Sequence, residues 1–179
     1  GTGGVMSTSG AMSWGAPLSA ANNYNYSPKD DYFQTGIIGT ESISLSTGTE
    51  KNQTYASAAA VNSKGIVPNN KYNRYNFTVR NTTTFLDDKM TLDFGASYIL
   101  QNDQNMTNQG TYNNPLVGAY LFPRSNDWSD ISMYERYDAA RKIYTQYWPV
   151  GDEGMVMQNP YWIAYRNLRL NNKKRYMAS

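Results

Sequence analysis

Over residues 71–101 apolar and polar side chains alternate with period two, and the alternation outlasts the strands of most water-soluble sheets. Before the turn, Tyr75, Phe77, Val79 and Phe85 fall at odd positions, while Arg74, Asn76, Thr78, Arg80, Thr82 and Thr84 fall at even ones. After Asp87-Asp88, Met90, Leu92, Phe94, Ala96, Tyr98 and Leu100 share one side, and Thr91, Asp93, Ser97 and Gln101 share the other. Successive side chains of an extended chain point to opposite faces, so the pattern predicts two antiparallel strands joined by a tight turn at Asp87-Asp88. Strands in soluble sheets run about five or six residues, whereas a tilted strand needs roughly nine to eleven to cross a bilayer. Both strands here belong to the longer kind. Two architectures accommodate them: a soluble antiparallel sheet with its apolar face on a core, or a closed barrel in lipid, apolar outside and polar within.

The spacing of the connections favours the barrel. Residues 41–49, where Ile43 and Leu45 alternate with Ser42, Ser44 and Ser46, read as a further strand. Residues 53–63 read as its partner, with an open choice of face: Tyr55, Ala59 and Val61 lie on one side, and Thr54, Ala56, Ala58 and Ala60 on the other. The turns at 48–52 and 87–88 are short, the connection at 64–71 is longer, and the segments before 41 and after 101 are long. Tight periplasmic turns alternating with extended extracellular loops are the pattern of outer-membrane barrels. The expected fold class is therefore all-β: a partial transmembrane antiparallel β-barrel with long extracellular loops and one short helix. Residues 1–40 form an extracellular loop segment, 41–101 the barrel strands in two hairpins, 102–172 a long extracellular loop, and 173–179 the start of a further barrel strand. In the long loop, Ser132 and Glu135 have the spacing of a capping box ahead of Tyr137, Ala139, Ala140 and Ile143, which predicts a short helix over about 132–144.

Composition removes several function classes. The chain has no cysteine and no histidine, which excludes disulfides, thiolate or imidazole zinc sites, and Ser-His-Asp or Cys-His catalysis. A net charge of +2, with Lys173-Lys174-Arg175 as the one basic run, gives no footprint for nucleic acid. Charged residues make up 17% of the chain, below the roughly 25% of an average domain. No stretch approaches the 18 or so apolar residues of a membrane helix, a test that barrel strands never register on.

Several phrases also carry a family resemblance. Asp31-Tyr-Phe-Gln-Thr-Gly36, Ser42-Ile-Ser-Leu-Ser-Thr-Gly48-Thr-Glu-Lys51 and Asn62-Ser-Lys-Gly-Ile-Val-Pro-Asn-Asn-Lys-Tyr-Asn-Arg-Tyr-Asn-Phe77 resemble the early barrel of SusC/RagA-type TonB-dependent transporters of Bacteroidetes. Asn114-Pro-Leu116, Tyr120-Leu-Phe-Pro-Arg124 and Asn159-Pro-Tyr-Trp-Ile163 are similar to recurring phrases of the same family. The resemblance implies a piece of a 22-stranded barrel whose lumen holds a plug. It further implies a place in the Gram-negative outer membrane, import of glycans or oligopeptides, a SusD-like surface lipoprotein as partner, and energy from TonB through regions outside this chain. The alternative is a soluble, Tyr-rich β-domain that binds carbohydrate at the bacterial surface.

Neither reading calls for an enzyme, a cofactor or a metal. The paired carboxylates Asp87-Asp88 and Asp152-Glu153 sit in polar stretches with nothing to place them across a cleft. The candidate ligand or partner contacts are the aromatics of the long segments: Trp14, Tyr112, Tyr120, Trp128, Trp148, Tyr161 and Trp162. Their rings offer area for stacking on sugars or packing on a partner at small entropic cost. The candidate lumen-facing residues are Arg74, Arg80 and Asp93, which share the polar side of the central hairpin.

Overall fold

The computed structural model describes residues 25–110, 113–122, 124, 126–148 and 158–179. In chain order its elements are β1 (Ile37–Gly48), β2 (Asn52–Lys64), β3 (Lys71–Phe85), β4 (Met90–Gln104), α1 (Pro115–Leu121), β5 (Glu135–Asp138), β6 (Ile143–Gln146), α2 (Pro160–Tyr165) and β7 (Leu170–Ala178). They fall into two compact units.

One unit is a five-stranded antiparallel sheet in the order β1-β2-β3-β4-β7. β3 and β4 are 15 residues long each, and all fifteen pair, from Lys71 opposite Gln104 to Phe85 opposite Met90. The register places Ile43, Ala58, Phe77, Tyr98 and Tyr176 in one row across the five strands, and Leu45, Ala56, Val79, Ala96 and Ala178 in the next. This is the apolar face that the alternation predicts. It settles the orientation of β2: the alanines 56, 58 and 60 lie with Phe77, and Tyr55, Ala59 and Val61 turn to the polar face. Small side chains there leave a shallow trough of about 360 Å³ between Ile43 on one side and Tyr75 and Phe77 on the other.

No core forms on the apolar face among the described residues. Leu92 is 58% exposed and Phe94 49%, and Ile43, Leu45, Phe77 and Val79 are exposed with them. A soluble sheet of this area would cover such side chains, because each large one gains about 1.5–3 kcal/mol on full burial. The face is interrupted near the β1–β2 turn by Asn52, Thr54, Asn81 and Thr83, which satisfy one another. Asn81 Nδ2 donates to Thr54 Oγ1 at 2.8 Å, Asn52 Nδ2 to Thr83 Oγ1 at 2.8 Å, and Thr83 Oγ1 to Asn81 Oδ1 at 2.7 Å.

The turns explain the strand ends. At Gly48 a Cβ would lie 2.2 Å from the Asn52 carbonyl oxygen, so only glycine lets the chain reverse there. Between β3 and β4, Leu86, Asp87 and Asp88 take φ of 55°, 52° and 65°, left-handed values that Asp tolerates better than Leu. The strands exceed their expected limits: β1 starts at Ile37, β4 runs to Gln104, and the expected strand start at 173–179 is β7, already paired with β4 from Leu170. The protein is thus predominantly antiparallel sheet. That sheet is open, with β1 and β7 as its edges, and no closed barrel is present among the described residues.

The other unit is built from residues 25–35, 66–69 and the described part of 105–168. Its core gathers Tyr26, Tyr32, Val67, Ala119, Phe122, Trp128 and Ile131. Both helices begin with Asn-Pro. Asn114 Oδ1 accepts the Leu116 N–H at 3.0 Å and Asn159 Oδ1 accepts the Tyr161 N–H at 2.9 Å, while proline at the first helical position has no N–H to leave unpaired. The helices approach closely at Gly118, where a Cβ would meet the Gln158 carbonyl at 2.6 Å and Pro160 Cδ at 3.2 Å.

The helix expected over 132–144 does not form. Residues 128–132 make a single tight helical turn capped by Asp127, and Glu135–Asp138 and Ile143–Gln146 pair as a hairpin. Two local forces defeat the capping box. Asp138 Oδ1 accepts the N–H groups of Ala140 and Arg141, both at 3.0 Å, which turns the chain. The rings of Tyr137 and Tyr144 then meet edge to face across the hairpin at 5.3 Å. No helix among the described residues is long and apolar enough to cross a membrane.

Candidate functional site

The polar face of the sheet is assembled by the same register that exposes the apolar one. Ser44, Ser57, Thr78, Ser97 and Met177 form its middle row, flanked by the rows of Arg80 and Gly95 on one side and Asn76 and Ile99 on the other. Arg74, Arg80 and Asp93 all lie on this face, as their parity requires. Arg80 and Asp93 are joined by two hydrogen bonds, one of them from Nε to Oδ1 at 3.1 Å, and Thr82 Oγ1 adds a third to the same carboxylate at 3.2 Å. Gly95, directly opposite Arg80, has no side chain to compete for that space; a Cβ there would meet Ser179 Oγ at 2.7 Å. Arg74 Nε donates to Asn76 Oδ1 at 3.0 Å. Nearer the β4 end, Gln101 Nε2 and Asn171 Nδ2 each donate to Asp103, at 3.0 Å in both cases.

A trough of about 420 Å³ runs over this face, lined in part by Thr78, Arg80, Gly95, Ser97, Met177 and Ser179. Hydroxyls, amides and a locally neutralised ion pair offer donors and acceptors to a hydrated solute without holding it by net charge. Among the described residues no three carboxylates come together in a way that would hold a metal ion.

The aromatic candidates separate by placement. Trp14 and Tyr112 lie outside the described residues. Trp128, with 8% of its surface exposed, is core: its ring stacks on Tyr26 at 4.2 Å and 13°, and meets Phe122 edge-on at 5.0 Å. Its ring is thus engaged in packing within this unit. Tyr161 and Trp148 are half-buried against the same cluster, and Tyr161 Oη accepts from Trp128 Nε1 at 3.3 Å. Trp162 is half-buried on α2. Tyr120, 63% exposed, keeps an open ring.

Burial raises the Tyr26, Tyr32 and Tyr161 hydroxyls above the ordinary tyrosine range, so they stay protonated. Tyr26 uses its proton on the Ala119 carbonyl at 2.9 Å. The Asp127 carboxyl is held below its usual range by the Ser129 N–H it accepts, and that of Glu135 by the Arg166 guanidinium. The sequence did not single out Asn159 as more than part of a phrase, yet it is the polar centre of this unit. Fully buried, it donates from Nδ2 to the carbonyls of Ile131 and Tyr147, each at 2.9 Å.

No protein-family model matches the chain, and no curated protein matches it.

Proposed function

We propose that the chain is part of an outer-membrane TonB-dependent importer of the SusC/RagA type, taking up glycans or oligopeptides together with a SusD-like lipoprotein. One observation carries the reading: a sheet of strands up to 15 residues long leaves its apolar face exposed and its opposite face polar. On β4 the apolar side runs unbroken from Met90 to Leu100. At about 3.3 Å per residue and a tilt near 40°, those ten steps span roughly 25 Å along a membrane normal, the height of the apolar band of an outer-membrane barrel.

In this reading the lipid meets Phe77, Val79, Leu92 and Phe94, and the polar face, with Arg74, Arg80 and Asp93, lines the water-filled side. The Asp87-Asp88 turn is periplasmic and the aromatic unit is extracellular, where Tyr120 is available to a sugar or to the partner lipoprotein. The importer moves its substrate without altering it.

The absence of native cysteine makes the first test clean. Single cysteines at Phe77 and Asn76 in the full-length importer that carries this segment, labelled and reconstituted in phosphatidylcholine vesicles, should respond differently to a quencher confined to acyl chains: strong loss of signal at 77, little at 76. The reverse order, or equal quenching, would sink the membrane placement. Disrupting the gene that carries this segment should abolish growth on at least one glycan or peptide supplied as sole nutrient. Normal growth on every such source would remove the importer reading.

A further inference from the structure

At the end of the sheet where β2 passes to β3, the apolar face changes character. Its outermost row is Ile37, Lys64, Lys71, Gln104 and Leu170, and the next is Gly39, Asn62, Asn73, Asn102 and Asn172. One row further in, Lys174 lies beside Leu100 and Tyr75, and the next two rows are apolar.

Lys64 and Lys71 are directly opposite each other on neighbouring strands, an arrangement that repulsion disfavours. Both are exposed, and neither they nor Lys174 forms an ion pair among the described residues. The two outer rows contain no carboxylate. Glu41 shares the row of Lys174, but it stands on β1, at the far edge of the sheet from β7. Asp103 is on the opposite face, held by Gln101 and Asn171. Three cations and five side-chain amides therefore border an exposed apolar surface, and none of the three cations is ion-paired among the described residues.

We infer that this border binds the phosphate-bearing headgroups of anionic lipid in the outer leaflet. The lysines supply charge, the asparagine row supplies donors and acceptors for headgroup oxygens, and Ile37, Leu170 and the apolar rows beyond take the chains. Long lysine stems lie along apolar surface while the ammonium reaches the interface, which suits Lys174 above all. The inference rests on the membrane placement proposed above, because only there do this charge and this apolar face meet one lipid molecule.

The test uses the full-length importer that carries this segment, with Leu170→Cys labelled as its single cysteine, reconstituted in phosphatidylcholine vesicles that contain brominated phosphatidylglycerol or, in parallel, brominated phosphatidylcholine. The label should be quenched by the anionic lipid about fivefold or more in preference to the neutral one at equal mole fraction. The triple variant Lys64→Gln, Lys71→Gln, Lys174→Gln should lose that preference. Arg74→Gln, Lys173→Gln, Arg175→Gln, which removes the same charge from the opposite face, should keep it. Equal quenching by both lipids in the parent chain overturns the inference while leaving the membrane placement intact. So does loss of preference in both triple variants, which would assign it to net charge alone. No quenching by either lipid overturns the placement itself.

Discussion

The side-chain amide of Asn159 donates to the backbone carbonyl of Ile131 at 2.9 Å, a bond between two residues that solvent does not reach. The same amide serves Tyr147, its carbonyl oxygen caps α2, and its own N–H donates to Gln146 Oε1 at 2.8 Å. Asn159→Asp keeps the cap but turns an oxygen toward carbonyls that had a donor. Its expected cost is about 2–4 kcal/mol, since buried polar groups left unpaired cost about 1–3 kcal/mol each. Denaturant unfolding followed by tryptophan emission measures it; a change below about 0.5 kcal/mol would mean that the site is wet.

Trp128 and Tyr120 make opposite forecasts. Trp128→Ala removes the ring stacked on Tyr26, and should destabilise the aromatic unit by about 3–5 kcal/mol. Tyr120→Ala changes an exposed ring and should stay within about 0.5 kcal/mol. Paired melts of the two variants decide the placement, and comparable losses would contradict it.

The pair Glu135–Arg166 gives a pH signature. Arg166 Nη2 donates to Glu135 Oε1 at 2.7 Å, and this bidentate contact holds the Glu135 carboxyl below its ordinary value of 4.5. The folded state therefore binds that proton less tightly than the unfolded chain, and the pair stabilises fully above pH 4.5. The contribution falls away as the pH drops through the folded value. The stability difference between the parent and Glu135→Gln should accordingly be present at neutral pH and vanish in acid. A difference that stays constant from neutral pH into acid would show that the carboxylate has no role there.

The sheet was legible because contrast between neighbours was high. Phe77 between Asn76 and Thr78, or Leu92 between Thr91 and Asp93, leaves one choice of face, and the register follows it. β2 was ambiguous because Ala56, Ala58 and Ala60 are scarcely more apolar than Tyr55, Ala59 and Val61; only pairing with Val79, Phe77 and Tyr75 decides between them. In the loop unit, α1 and α2 span seven and six residues, too few for a helical period to emerge, although Asn-Pro ahead of an apolar run was a usable start signal. The spacing of Ser132 and Glu135 gave a false one, because the Asp138 turn and the Tyr137–Tyr144 pair compete for the same residues. Nothing local distinguishes a sealed tryptophan from an open one: Trp128 is buried by Tyr26, far away in the chain.

Thr78 and Val79 are adjacent at the middle of β3, at one depth and on opposite faces, so arginine at each position compares the two faces with everything else held equal. With the full-length importer that carries this segment folded into phosphatidylcholine bilayers, Val79→Arg should cost about 2–4 kcal/mol of folding free energy and Thr78→Arg far less. Equal costs at the two positions, or a larger one at Thr78, would mean that the apolar face of this sheet is not turned to lipid.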